Sequence, residues 1–117
     1  MNDVLIIDDS APVLERLKNL LAEVPGVQVV GLAENADQAM DCFRNAAPDT
    51  VILDIRLPGK NGIELLQEIK KCRPETLVIM LTDYDFEHYR RRCAGLGADY
   101  FFNKTREFDK LVEVLAR

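Results

Sequence analysis

The sequence predicts a doubly wound α/β fold, a (βα)5 chain in which five parallel strands are each followed by a helix. Three observations predict it. Five short apolar runs alternate with five stretches of helical periodicity along the 117 residues. Three of those runs, Val4–Ile7, Val51–Leu53 and Leu77–Leu81, are apolar without interruption, as strands covered on both faces of a sheet are. The connections are short, which implies neighbouring elements joined by right-handed crossovers.

The first strand, Val4–Ile7, ends at Asp8 and Asp9. Ser10 then caps a helix with Pro12 in its first turn. Val13, Leu14, Leu17, Leu20, Leu21 and Val24 recur at helical spacing until Pro25 and Gly26 stop it. The second strand, Val27–Val30, is weaker and half polar. Asn35 and Gln38 form a capping pair for the second helix, with Ala36, Met40, Phe43 and Ala47 on one face. The third strand, Val51–Leu53, ends at Asp54. Asn61 caps the third helix, and Ile63, Leu66 and Ile69 face one way. Lys70, Lys71 and Arg73 close it, where cations suit the helix dipole, and Pro74 follows. The fourth strand, Leu77–Leu81, ends at Thr82. Asp85 is the expected cap of the fourth helix, with Phe86, Tyr89 and Cys93 on one face and Gly95 or Gly97 ending it. The fifth strand, Tyr100–Phe102, leads to Lys104. The last helix is expected from about Arg106, with Phe108, Leu111, Val112 and Leu115 apolar.

Composition narrows the function classes. A chain of 117 residues has room for one domain with a real core, expected over residues 1–117 with no output domain. Three cysteines, Cys42, Cys72 and Cys93, are odd in number and far apart. They build neither a disulfide framework nor a zinc site, and a reduced, cytoplasmic setting is the expectation. No apolar run nears the ~18 residues of a membrane span, and no signal peptide opens the chain. A net charge of −5 argues against nucleic-acid binding by the whole surface. Neither GxxxxGK[ST] nor GxGxxG follows a strand, which argues against a nucleotide-binding loop.

In open α/β sheets, ligands bind at the carboxyl ends of the strands. Those ends carry Asp8 and Asp9, Asp54, Thr82 and Lys104. One aspartate at a strand end is ordinarily a turn residue, and one lysine a solvated one. Four of the five strand ends, however, carry groups that one chemistry needs. Crowded carboxylates repel unless a cation joins them, and Mg2+ suits oxygen ligands shared with a phosphate. An ammonium and a hydroxyl can stabilise a phosphoryl group, and an aspartate can attack phosphorus to become an aspartyl phosphate.

These residues sit in motifs that resemble the CheY-like receiver domains of two-component response regulators. The resemblance rests on Ile7-Asp8-Asp9-Ser10, on Val51 to Gly62 with Asp54, Pro58 and Gly62, on Leu81-Thr82, and on Gly97 to Lys104. It spans Val4 to Leu115 and implies strand order 2-1-3-4-5. By position, it implies that Asp54 is the phosphoacceptor. Asp9, Asp54, the backbone carbonyl of Arg56 and, often through water, Asp8 would hold Mg2+. Thr82 would turn toward the phosphoryl group, Phe101 would be the switch aromatic, and Lys104 the family's lysine. The implied function is phosphoryl transfer from a histidine kinase or phosphotransfer protein to Asp54. The face of the fourth helix, fifth strand and fifth helix would then change to control a downstream protein, an output domain or a phosphorylation-dependent dimer. Turnover of an external substrate, direct nucleic-acid binding and membrane association are not implied.

Two positions depart from the family pattern. Thr105 follows Lys104 where proline joined by a cis bond is usual. The cost of a non-proline cis bond, ~2.5–4 kcal/mol, predicts trans, or a cis bond held by the site. Asp83 follows Thr82 where a small residue is usual, and it is expected to point outward and act with Asp85 at a helix N-terminus. Both positions also admit an alternative, a phosphorylation-independent pseudo-receiver scaffold. A phosphatase with its nucleophile at Asp8 or Asp9 leaves Asp54 unexplained. Arg56 and Tyr84 each lie two residues beyond a site residue, where large side chains would screen an acyl phosphate from water. His88 and Arg90 to Arg92 are expected on a solvated helix face.

Overall fold

Ten elements follow in the predicted order in the computed structural model, which describes residues 1–117. They are β1 Asn2–Ile7, α1 Ala11–Leu21, β2 Val27–Ala33, α2 Ala36–Ala46, β3 Thr50–Leu53, α3 Gly62–Cys72, β4 Leu77–Thr82, α4 Glu87–Gly95, β5 Tyr100–Asn103 and α5 Phe108–Leu115. The sheet is parallel throughout, in the order β2-β1-β3-β4-β5. This order puts β1 and β3 side by side at its centre, and the chain reverses direction across the sheet between them. A crevice at the carboxyl edge is the consequence of that reversal.

Local chemistry sets the first three helices. Ser10 Oγ accepts from the Val13 N–H at 3.4 Å, Asn35 Oδ1 from Gln38 at 2.9 Å and Asn61 Oδ1 from Glu64 at 3.0 Å. Gln38 Oε1 reaches back past the cap to the Glu34 N–H at 3.0 Å, so the predicted pair holds in the Asn35 to Gln38 direction and the return bond falls on the residue before the cap.

Period-two alternation divides the core between the two faces of the sheet. Leu5, Ile7, Val51, Leu53, Val78 and Met80 meet Met40, Phe43, Leu65, Leu66, Ile69 and Cys93 from α2, α3 and α4. Val4, Ile6, Ile52, Ile79 and Leu81 meet Leu14, Leu17, Leu21, Leu111 and Leu115 from α1 and α5. The central strands are therefore covered on both sides, which is why they read as uninterrupted apolar runs.

Several local expectations are corrected. Ala47 leaves the apolar face of α2 and caps the helix in the left-handed region, at φ 45°, so that its N–H reaches the Phe43 carbonyl. Asp85 does not cap α4. Its carboxylate turns to Asn103 Nδ2 at 3.1 Å and to Arg106, and α4 starts two residues later without a side-chain cap. Phe86 is 60% exposed, not core, and its ring stacks on His88. The segment 104–107 is a turn and not the start of α5, because Asn103 Oδ1 takes the N–H groups of Thr105 and Arg106 at 2.9 and 2.8 Å.

Candidate functional site

The strand ends hang from the last rungs of the sheet. The Asp8 N–H donates to the Ala33 carbonyl at 3.0 Å, the Asp54 N–H to Ile7 at 3.1 Å and the Lys104 N–H to Thr82 at 3.0 Å. Backbone pairing thereby fixes the residues that sequence spacing only placed at the same edge.

Lys104 Nζ lies 2.6 Å from Asp8 Oδ2 and 2.7 Å from Asp54 Oδ2. Both carboxylates are nearly closed off, with Asp8 2% and Asp54 5% exposed. Their other oxygens are also engaged. Asp8 Oδ1 accepts from the Ser10 N–H at 2.9 Å and Asp54 Oδ1 from the Ile55 N–H at 2.7 Å. Burial pushes the Asp8 carboxyl above its ordinary value, against the pull of Lys104 and Ser10. Burial opposes the Lys104 charge, but hydrogen bonds and ion pairs with Asp54 and Asp8 outweigh it and hold the ammonium above its ordinary value. Asp9 is exposed at the rim.

One carboxylate oxygen from each of Asp8, Asp9 and Asp54 falls within a 4.8 Å cluster. Three carboxylates against one ammonium leave an excess of two negative charges in an all-oxygen donor set. That chemistry fits a hard divalent cation such as Mg2+. The Arg56 carbonyl accepts no backbone hydrogen bond, so its lone pairs are uncommitted.

Thr82 is fully buried at the end of β4, and its Oγ accepts from the Tyr84 N–H at 3.1 Å. Its own hydroxyl hydrogen is left to donate. Phe101, paired in register with Met80, is half-buried against the α2–α3–α4 core. Arg90 covers the Phe101 ring at 4.7 Å and donates to the Phe101 carbonyl at 3.3 Å. Arg90 also reaches Glu107 at 3.3 Å and Asp85 at 3.9 Å. The expectation of a solvated Arg90 to Arg92 face is therefore corrected for Arg90, whose side chain is drawn inward by these two carboxylates and by the ring. His88, Arg91 and Arg92 are exposed, as expected.

Gly62 closes the back of the site. Its N–H donates to the Ile55 carbonyl at 2.7 Å, and a Cβ there would lie 1.9 Å from the Asp54 carbonyl oxygen. Only glycine lets α3 start this close to the Asp54 backbone. At the front, Arg56 stacks over the Tyr84 ring at 4.9 Å, which joins the two side chains into one cover. Lys104–Thr105 is trans, as no cis peptide bond occurs. Asp83 is exposed as predicted, but it accepts from Thr105 Oγ1 at 2.8 Å and does not serve the α4 N-terminus.

Sequence reasoning missed the polar cluster beside the site. Asn103 is buried and joins Asp85 to the turn that follows Lys104, and Glu107 Oε1 accepts from the Asn103 N–H at 2.9 Å. The available signal was an asparagine placed two and three residues before loop N–H groups, the spacing of an Asx turn.

The geometry has known counterparts. The sequence profile described as the response regulator receiver domain matches residues 4–116. A protein-glutamate methylesterase/protein-glutamine glutaminase from Methanospirillum hungatei is 33% identical over 113 residues, covering 95% of this chain and 33% of its own length. Two other relatives are spanned over 29% and 54% of their lengths. A CheY-like receiver domain protein from the same archaeon superposes with a TM-score of 0.89 at 30% identity, covering 98% of this chain and 90% of its own. The CheX-CheY-BeF3-Mg2+ complex from Borrelia burgdorferi gives a TM-score of 0.89 at 27% identity, covering 97% of this chain and 85% of the matched one. No helix of the structure is long and apolar enough to cross a membrane. The profile spans nearly all of the sequence and the acidic site lies at the sheet edge where the motifs placed it, so the chain belongs to the response regulator receiver domain family.

Proposed function

We propose that Asp54 accepts a phosphoryl group from the phosphohistidine of a sensor kinase or phosphotransfer protein. The observation that carries this reading is the position of the Asp54 carboxylate, buried at a central strand end and bridged by the Lys104 ammonium to a second buried carboxylate, Asp8. A carboxylate oxygen of Asp54 attacks phosphorus, and the bond from phosphorus to the donor imidazole nitrogen breaks. The imidazole keeps the electron pair and takes a proton from solvent. Asp8, Asp9, Asp54 and the Arg56 carbonyl would hold Mg2+, which supplies positive charge to the phosphoryl oxygens when bound.

Lys104 stabilises the charge that develops on the phosphoryl oxygens, and Thr82 donates its hydroxyl to one of them. Withdrawal of the Thr82 hydroxyl from the Tyr84 N–H shifts the loop after β4. The half-buried Phe101 then repacks, and the α4–β5–α5 face changes for a downstream protein, an output domain or a second copy. The activity is that of a phosphoacceptor with self-catalysed transfer and hydrolysis, working in the cytoplasm. A phosphorylation-independent scaffold would draw on Asp83, yet that carboxylate is engaged by Thr105 at 2.8 Å.

The test is intact mass after incubation with Mg2+ and acetyl phosphate, beside Asp54→Asn. A phosphoryl adduct on the unaltered chain alone is expected. Folded protein without an adduct at any donor concentration would overturn the proposal in favour of the scaffold.

A further inference from the structure

The two residues that depart from the family pattern contact each other. Asp83 directly follows Thr82, and Thr105 directly follows Lys104. Beyond the bond from the Lys104 N–H to Thr82, no backbone hydrogen bond joins the loop after β4 to the loop after β5. The hydrogen bond from Thr105 Oγ1 to Asp83 Oδ1, at 2.8 Å, is the side-chain tie at the mouth of the site, and farther along the same loops Asp85 meets Asn103 and Arg106. Both residues line a groove of about 400 Å³ together with Lys104, Arg16, Val13 and Phe108.

Each partner is anchored on its own side. The Thr105 and Arg106 N–H groups donate to Asn103 Oδ1, which sets the direction of the chain after Lys104 without a cis bond. The Tyr84 N–H donates to Thr82 Oγ, which wraps the backbone of residue 83 around the Thr82 side chain. A displacement of Thr82 therefore reaches Asp83 through one peptide unit, and a displacement of Thr105 reaches Lys104 in the same way.

We infer that Asp83 and Thr105 are a pair of positioning residues whose hydrogen bond makes the Thr82 loop and the Lys104 loop move as one. The inference rests on the phosphoacceptor reading. Phosphorylation demands two rearrangements at once. The Thr82 hydroxyl turns from the Tyr84 N–H, and the Lys104 ammonium leaves its bridge between Asp8 and Asp54 for the phosphoryl oxygens. The Asp83–Thr105 bond joins the loops that make them. The operative property of Asp83 is its hydrogen-bond acceptor. Its charge is exposed and screened.

Four single variants and one double variant separate the acceptor from the charge. Asp83→Asn keeps an acceptor and removes the charge, whereas Asp83→Ala removes both. Thr105→Ser keeps the donor, whereas Thr105→Val removes it at similar shape. The rate of phosphorylation by acetyl phosphate is expected to fall about three- to tenfold in Asp83→Ala and in Thr105→Val. It should fall no further in the double variant, and it should stay within about twofold of the unaltered chain in Asp83→Asn and Thr105→Ser. In the unphosphorylated protein, amide exchange at Tyr84 and Arg106 should accelerate in the two disruptive variants and not in the two conservative ones. Multiplying effects in the double variant, unchanged amide exchange, or faster phosphorylation in both Asp83→Ala and Asp83→Asn would overturn the inference while leaving the phosphoacceptor reading intact. Absence of an adduct on the unaltered chain would overturn both.

Discussion

Gly62→Ala is the sharpest probe of how the scaffold holds Asp54. The added Cβ would lie 1.9 Å from the Asp54 carbonyl oxygen and 2.8 Å from the Ile55 Cα. Carbon and oxygen in van der Waals contact sit about 3.4 Å apart, so one side must recede by about 1.5 Å. The atoms in the way are backbone. No side chain can swing aside, so either α3 lifts away from β3 or the Asp54 peptide moves. Gly62 N–H and the Ile55 carbonyl are already at 2.7 Å, and either movement stretches that bond. Overpacking of this kind costs about 1–3 kcal/mol. For a domain of this size that is a fall in Tm of roughly 4–12 °C.

The same displacement acts on chemistry. A reacting group misplaced by about 1 Å costs on the order of a hundredfold in rate. Gly62→Ala is therefore expected to lose about 1–3 kcal/mol in urea unfolding and about a hundredfold in the rate of phosphorylation by acetyl phosphate. Unfolding followed by circular dichroism and adduct formation followed by intact mass give the two numbers. Equal stability and equal rate would refute the close-approach argument outright. Lost stability with an unchanged rate would put the movement in α3 and not in the Asp54 peptide.

Other expectations test neighbouring features. The Arg56–Tyr84 stack is a cation–π contact between an exposed arginine and a half-buried ring, worth ~0.5–1 kcal/mol. Arg56→Ala and Tyr84→Ala should each speed hydrolysis of the aspartyl phosphate about two- to fivefold by opening the same cover. Unchanged rates would sink the screening idea. Glu107 is held down to about 2 by the Asn103 N–H, by Lys110 and by Arg90, against the opposing effect of burial. A depressed carboxyl stabilises the fold fully above its unfolded value of 4.5 and loses that contribution as the pH falls through about 2. Glu107→Gln should therefore cost on the order of 1–2 kcal/mol at pH 7, after allowance for solvent screening. Its deficit relative to the unaltered chain should shrink between pH 4.5 and 2. A deficit constant over that range would exclude the ionised carboxylate as its source.

The electrostatics explain why the site needs a half-buried lysine. Asp8 and Asp54 are almost wholly removed from water, and two such carboxylates cannot both stay ionised without compensation. A surface loop lysine could not compensate them, because exposed pairs are worth little. Lys104 does so because its backbone is tied to Thr82 at the end of β4–β5 pairing, which holds the ammonium within 2.7 Å of both carboxylates. It neutralises one charge, and the negative charge that remains suits a divalent cation. Exposed Asp9 stands at the rim, where the cation would enter.

The division between what could be read and what could not follows from the range of the interactions. The strands β1, β3 and β4 were legible because burial on both faces demands uninterrupted apolar runs, whereas the half-buried edge strand β2 runs to Ala33, past the expected end at Val30. Asp8, Asp54, Thr82 and Lys104 were legible because each is the first polar residue or nearly so after such a run, and a parallel sheet aligns those ends. The caps at Ser10, Asn35 and Asn61 were legible because capping is completed within three residues. Asp85 was misread by that same local rule. It has the right type and spacing for a cap, but Asn103 and Arg106 offer it stronger partners from 18 and 21 residues away. Arg90 was misread as solvated because helical periodicity says nothing of Glu107, which a different loop brings within 3.3 Å. Asp83 and Thr105 each looked like an isolated departure for the same reason. Twenty-two residues separate them, and only the β4–β5 pairing makes them neighbours. A departure from a family pattern therefore has to be weighed against the residues that strand pairing brings beside it, because Asp83 and Thr105, each ordinary alone, meet in a hydrogen bond.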